Sequence, residues 1–525
     1  MSALALECPQ LPASEAYMPA QQKFNQLLTQ LRAEQSQQMT HSQLESLIES
    51  EGRELLRRLL QGHLDERSPG TSTSPVLDAL DNTLSHQRTH TRQLETLFGT
   101  VSITRTGYGG RGLESLHPLD GALNLPEERY SHSLRRRAAL AAAQTSFDEV
   151  VVSVEQTTGA RLPKRQAEQL VQRAAQDFDT FYENQRAATE KQVGATGAIL
   201  VLSTDGKGVP MKRAALRKAT RQAAEVRKHK LAARRSRGEK TATRRMGTVA
   251  AVYTTEPFVR TPDQIIADLR TEQTTAPEKR PRPEDKRVWA SVEHSPQTII
   301  RQAFDEAQRR DRHNSKRWCM LVDGSPYQLK IVRLVARDYK VKLTIVLDMI
   351  HVCQYLWGAA WAFYSEGDPA AEAWVRKRLL KILRGGSSLV AGGLRRSATL
   401  RGLSKKERAA VDRCANYLLK YREYLRYDEY LEAGLPIATG VIEGACRHLV
   451  KDRMELTGAR WGLQGAEAVL RLRSLRSSGD FDEYWEFHLQ QEYQRQHVLR
   501  YAEGKVPVPQ SGKAAGKGTH LRLVK

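Results

Sequence analysis

Cysteine is scarce in this chain. Five occur in 525 residues, at Cys8, Cys319, Cys353, Cys414 and Cys446, and none forms a CxxC pair. That argues against a disulfide framework and against a sequence-local zinc site, and it points to a reducing compartment. Long apolar runs are also missing. No stretch of about 18 apolar residues occurs, which excludes a membrane-spanning helix, and mean hydropathy is −0.56. The opening segment MSALALECPQLPASEAYMPA lacks a charged stretch followed by an apolar one, so no secretory signal is expected. No repeat of fixed period is visible, which argues against a solenoid. Acid is short relative to base: 60 Asp and Glu stand against 82 Lys and Arg, a formal net charge of +22.

Enough apolar residue is present to build real cores, at 40% of the chain. The length implies more than one domain, because single cores stop growing near roughly 250–300 residues. A basic surplus with a pI near 9.8 calls for a polyanion, nucleic acid first, but identifies no reaction.

Residues 20–66 carry leucines at helical spacing (Leu27, Leu28, Leu31, then Leu44 to Leu60), which predicts helix. Short strands and turns are expected over 97–126. A second helical block follows over 131–185. Within it, SVEQTTGARLPKRQAEQLVQRAA has the punctuation of a helix-turn-helix, which places its second helix in a DNA groove, or of an ordinary helical hairpin. Apolar strands are expected in GAILVLSTDGKGVP, MGTVAAVYTTEPF, WCMLVDGSP and KLTIVLDMIH, with a polar connector over 259–287 and all-helical structure over 367–435.

Three of these strands end in an acid: Asp205, Asp323 and Asp348. A strand buried on both faces cannot hold an unpaired carboxylate internally, but its carboxyl end can face a crevice. Two such acids on neighbouring strands suit Mg²⁺, which prefers oxygen ligands, and a third from a helix lets two ions bind. Glu443 suits that part: it precedes Arg447 and Lys451 at i+4 and i+8, which predicts one helix face with the acid above two bases.

Residues 212–246 hold 14 Lys or Arg and two Glu. This imbalance favours phosphate contact by Lys212, Arg213, Arg227, Lys228, Arg234 and Arg235 over a solvated helix face, which would interleave Glu. Trp357, Trp361 and Trp374 are expected in the core. Arg460 and Trp461 are candidates for contact with terminal bases.

LSTDGKGVPM (202–211), WCMLVDGSP (318–326), IVLDMIHVCQYLW (345–357) and GVIEGACRHLVKDRMELTGARW (440–461) together resemble the DDE transposases of insertion sequences, the ISKra-type group. The resemblance implies an α/β RNase H-like core with a mixed five-stranded sheet flanked by helices, interrupted by an all-helical insertion and preceded by a mostly helical DNA-binding region. The first acid would lie on the first strand, the second after the fourth, and the glutamate on a helix beyond the insertion. Asp205, Asp323 and Glu443 would be the catalytic residues and the ligands of two Mg²⁺ or Mn²⁺ ions. Asp348 and His351 would support them, with Asp348 a rival to Asp323 as ligand and Glu455 a rival to Glu443. Arg447, Lys451, Arg453, Arg460 and Trp461 would join the basic run in binding DNA. Many relatives carry cysteine pairs near the segment matching TRTGYGGRG (104–112); none is present here, so no zinc requirement carries over.

The resemblance further implies a DNA transposase that binds terminal inverted repeats, hydrolyses the phosphodiester at the element end and joins the 3′-OH to target DNA. The alternatives are an RNase H-like nuclease without strand transfer and a non-catalytic DNA-binding descendant. Double-stranded DNA and further copies of the chain, as a dimer or higher multimer, would be the partners, with no membrane. The setting would be bacterial cytoplasm, associated with the nucleoid. The expected organisation is a helical region for assembly or DNA binding (1–96), a DNA-binding module (97–192), the first part of the core (193–366), the insertion (367–435), the last part of the core (436–503) and a disordered basic tail (504–525).

Overall fold

The computed structural model describes residues 15–187, 196–226, 243–270, 280–456 and 458–509. The chain divides into two compact units: Met1–Asp177 with Asp482–Lys525, and Phe178–Phe481. The expected boundaries lie at 192 and 503. Tyr484, His488 and Glu492 of the helix Phe481–Gln496 are buried side chains of the first unit.

In the first unit, the helix of residues 20–66 is two helices, Met18–Arg32 and His41–Glu66, with a short turn of helix between them. Thr40 starts the longer one: its hydroxyl accepts from the Gln43 amide while the Gln43 side chain accepts from the Thr40 amide, satisfying two otherwise orphan donors. Strands β1 (His86–Thr96) and β2 (Gly99–Gly109) form an antiparallel hairpin, so the expected boundary at 96/97 falls in its turn. Helices His132–Ala142, Phe147–Thr158 and Lys164–Ala174 follow. Gly159 ends the second of them in the left-handed conformation (φ 68°), the helix-turn-helix punctuation seen in the sequence. The fully buried Arg135 donates to Glu492 (2.6 Å) and Glu128 (2.8 Å). Asp177 accepts from Arg495 at 3.0 Å and bonds the His488 ring at 2.7 Å.

The second unit is mixed α/β around a five-stranded sheet. Its strands are β3 (Ile199–Pro210), β4 (Arg244–Thr255), β5 (Glu284–Ser291), β6 (Arg317–Val322) and β7 (Leu343–Leu347). Their order is β5-β4-β3-β6-β7. β3 pairs in parallel with β6, and β6 with β7, while β4 runs antiparallel to both neighbours. Central strands read as unbroken apolar runs because both faces are covered. β5 starts inside what the sequence presents as a polar connector; its first residues are exposed and only its second half, VWAS, is apolar. Its outer edge is closed by side chains rather than by a strand. Val288, Ala290 and Val292 donate their amides to Ser478, Ser474 and Glu467, of which the first two, and the last, lie on helix Leu463–Ser478.

Residues 367–435 are helical as expected: Pro369–Leu383, Ser387–Leu400, Ala409–Lys420 and Tyr427–Glu432. Gly385 (φ 79°) breaks the first two apart, whereas Gly392 and Gly393 lie inside the second. Among the described residues no helix is long and apolar enough to cross a membrane. The basic tail expected over 504–525 falls mostly on 510–525, outside the described residues.

Candidate active site

The three acids form one row, although β3 runs on beside β4 to Pro210, so Asp205 lies within its strand and not at the end expected for it. β3 and β6 are in register up to Ser203 opposite Leu321, and β6 and β7 up to Val322 opposite Leu347. Continuing those ladders sets Asp205 opposite Asp323, and Asp323 opposite Asp348. The amide of Asp348 still donates to the Val322 carbonyl at 2.8 Å, so the ladder reaches the third acid. Neighbouring strands lie about 4.8 Å apart. Three carboxylates at that spacing at one sheet edge repel one another unless cations intervene.

Each acid is held differently. Asp205 accepts from the Gly206 amide (2.6 Å) through one oxygen and from the Cys446 thiol (3.2 Å) through the other. Asp323 accepts from the Ser325 amide at 2.9 Å. Gly324, between them, has φ 93°, which a side chain rarely adopts, and it turns the chain sharply after β6. Asp348 is fully buried and caps helix Met349–Ala360. Its Oδ1 accepts from the amides of Ile350 (3.2 Å) and Thr439 (3.1 Å), and its Oδ2 meets His351 Nδ1 at 2.8 Å. Both Asp348 oxygens are thus engaged. Asp205 and Asp323 are partly exposed.

Glu443 lies on the short helix Gly440–Ala445, which touches β3, β4 and β5. Partial removal from water, reinforced by the negative charge of Asp348 and Asp205, raises its carboxyl above the usual range; His351 and Lys207 pull the other way. His351 is raised chiefly by its bond to Asp348, and further by Asp323 and Asp205, so it carries positive charge more readily. The four acids and His351 therefore share one electrostatic neighbourhood. The rival Glu455 forms an ion pair with Arg244, at the start of β4.

Two participants escaped the sequence reading. Lys207, two residues after Asp205 and hence on the same face of β3, acts on Glu443 and Cys446. Cys446, three residues after Glu443, has its thiol pushed up by burial and by Asp205, so it stays protonated and donates. The local signals were D-G-K and E-G-A-C, short spacings with no meaning until the strand and helix meet.

Other expectations are corrected. The segment Cys446–Lys451 is π-helical, so its wider turn breaks the i, i+4, i+8 face expected for Glu443, Arg447 and Lys451. All three side chains are nonetheless exposed, as is Arg460. Trp461 is buried at 7% exposure, donates to the Met454 carbonyl (3.0 Å) and lies under the Arg453 guanidinium at 4.8 Å. It holds Pro210 and Lys212 through backbone bonds, so it is a core residue and presents no ring to a base. Arg453, 2% exposed, likewise packs inside and offers no phosphate contact. Trp374 is buried as expected, but Trp361 is 44% exposed and Trp357 stacks on it. Lys212 and Arg213 are exposed beyond β3, while Arg227, Lys228, Arg234 and Arg235 lie outside the described residues.

Oxygen donors at a sheet edge suit a hard divalent ion. Asp205, Asp323 and Glu443 supply them without a lysine or arginine ion pair to any of the three among the described residues.

No family model matches the chain. A curated protein of Streptococcus gallolyticus, the UPF0236 protein in vanSb 3'region, is 30% identical over 132 residues. The match covers 25% of this chain and 29% of that protein, so the chain spans less than a third of its relative's length.

Proposed function

We propose that this protein is a DDE-type DNA transposase with an RNase H-like core, similar to the ISKra-type group. One observation carries the reading: Asp205 within β3, just past its last pair with β6, and Asp323 and Asp348 just past the ends of β6 and β7 stand in register on three adjacent strands, within the field of Glu443 from a helix beyond the insertion. The sheet order, with β4 alone reversed, is in keeping with that core. The first acid lies on the sheet's first strand and the second after its fourth, in the pattern the resemblance implies.

Asp205, Asp323 and Glu443 would hold the metal. Two Mg²⁺ or Mn²⁺ ions bound there would activate a water or a 3′-OH and stabilise the departing oxygen. Asp348 orients His351, which adds positive charge beside the acids. Lys207, Lys212 and Arg213 would hold phosphates near carboxylates that otherwise repel them. The three helices His132–Ala142 to Lys164–Ala174 would bind the terminal inverted repeats, and further copies of the chain would pair two ends. Activity on DNA places the protein in the bacterial cytoplasm.

The test uses purified protein, Mg²⁺ and labelled DNA carrying the inverted repeats that bracket the gene. Nicking at the repeat end and joining to a target plasmid are expected, both absent with Asp205→Asn. Cleavage without joining would make it a nuclease; binding with neither would make it a non-catalytic descendant.

A further inference from the structure

Four tyrosines at the end of the helical insertion reach the backbone at and just before two acids of the row, Asp323 and Asp348. Tyr417 donates to the carbonyl of Asp323 (3.1 Å) and Tyr421 to that of Gly324 (2.5 Å). Tyr427 donates to Leu347 (2.7 Å), and the Tyr430 hydroxyl lies between the carbonyls of Ile345 (3.3 Å) and Glu423 (3.4 Å). All four side chains are buried.

These carbonyls need partners that the sheet does not provide. Asp323 and Gly324 lie past the last β6 pair. Ile345 and Leu347 point outward from β7, an edge strand whose inner side is taken by β6. A buried carbonyl without a partner is costly, and water could supply one. A phenol does so from a packed ring, so the acceptor is fixed in space and not merely satisfied. The rings are themselves braced. Tyr417 stacks on Tyr355 with centroids 3.9 Å apart, and Tyr355 lies on the helix that begins at Asp348 and carries His351. Tyr421 meets Tyr417 edge-on at 5.0 Å. Gly324 fits the same device: a Cβ there would sit 3.2 Å from the Tyr417 hydroxyl.

We infer that Tyr417, Tyr421, Tyr427 and Tyr430 are positioning residues, which set the Asp323 turn and the β7 end so that the acid row can close on divalent metal. The inference rests on the reading of that row as a metal site. It gives the insertion a task within the core: it forms the back wall of the site.

Tyr424 provides an internal control. It lies in the same segment and is buried, but its hydroxyl has no hydrogen-bond partner among the described residues. The experiment measures Mn²⁺ binding to the full chain by electron paramagnetic resonance of the free ion, with thermal midpoint and DNA affinity in EDTA alongside. Tyr417→Phe/Tyr421→Phe and Tyr427→Phe/Tyr430→Phe should weaken Mn²⁺ binding about tenfold or more, the usual loss when an outer partner of a ligand is removed. DNA affinity in EDTA should stay within about twofold, and Tyr424→Phe should match the parent. Faster amide exchange over 323–326 in the first double variant should accompany the loss. Should a double variant fold poorly, Tyr421→Phe alone should show the same direction of change. Mn²⁺ binding that depends on Asp205 but is indifferent to all four hydroxyls would overturn the positioning role and leave the metal site standing. Binding equally unaffected by Asp205→Asn would overturn both.

Discussion

Glu306 and Asp205 are both acids of the second unit, and their surroundings are opposite. Glu306, 1% exposed, is met by Arg287 (2.8 Å), Arg309 (2.7 Å) and Arg310 (2.7 Å). Arg287 also lies 3.4 Å above the Tyr182 ring. Burial alone would raise the Glu306 carboxyl, yet the arginines hold it well below the carboxylate range. At the strand ends the balance is reversed: Asp205, Asp323, Asp348 and Glu443 converge on His351 and Lys207, and Glu443 is raised. A buried acid surrounded by arginine is complete and serves the fold. A cluster of acids with too few cations is incomplete and is the place to look for a bound one. The first unit repeats the complete kind at Glu492, between Arg135 and Arg495.

The comparison is broken most directly at Asp205. Asp205→Asn should reduce DNA cleavage by about a thousandfold, the several kcal/mol that metal charge stabilisation supplies, with thermal stability unchanged or higher. Gel assays and calorimetry on one preparation check both halves. Glu306→Gln should do the reverse. It leaves three arginines short of their acid and should cost about 3–5 kcal/mol in denaturant unfolding, while Mn²⁺ binding per folded molecule persists. Loss of Mn²⁺ binding with stability intact would erase the distinction.

Acid titration sharpens it further. Burial favours the neutral form of Glu492, but Arg135 and Arg495 bring its carboxyl down to about 2. Its folded value is depressed, so its contribution is complete above the unfolded value of about 4.3 and is lost as pH falls toward 2. Thermal midpoints between pH 5 and pH 2 should therefore fall, less steeply in Glu492→Gln. The smallest effect is expected at Glu455, already paired with Arg244: Glu455→Gln should leave cleavage within about threefold, where Glu443→Gln removes it. Equal losses from the two would reopen the choice of glutamate.

Much of the site could be read in one dimension. Asp205, Asp323 and Asp348 end apolar runs, and burial on both faces leaves strand ends as the affordable place for an acid. Motif context favours Glu443 over Glu455, and the ion pair of Glu455 with Arg244 is a contact the motif does not show. Trp461 and Arg453 were misplaced because an aromatic beside arginines looks the same whether the ring lies under a guanidinium or against a base. β5 was missed because an exposed, charged start hides its short apolar end.

The sequence by itself determined most of the elements, four of the five sheet strands and the helical insertion among them, and that basic residues exceed acids by 22. Those properties follow from local periodicity and composition, which one segment carries alone. Only the tertiary structure decided that three acids from residues 205, 323 and 348 share one row, because register belongs to pairs of strands. It alone brought Cys446 to Asp205, and the tyrosines of the insertion to the carbonyls behind the acids. Such contacts join segments up to 241 residues apart, and no local pattern encodes them.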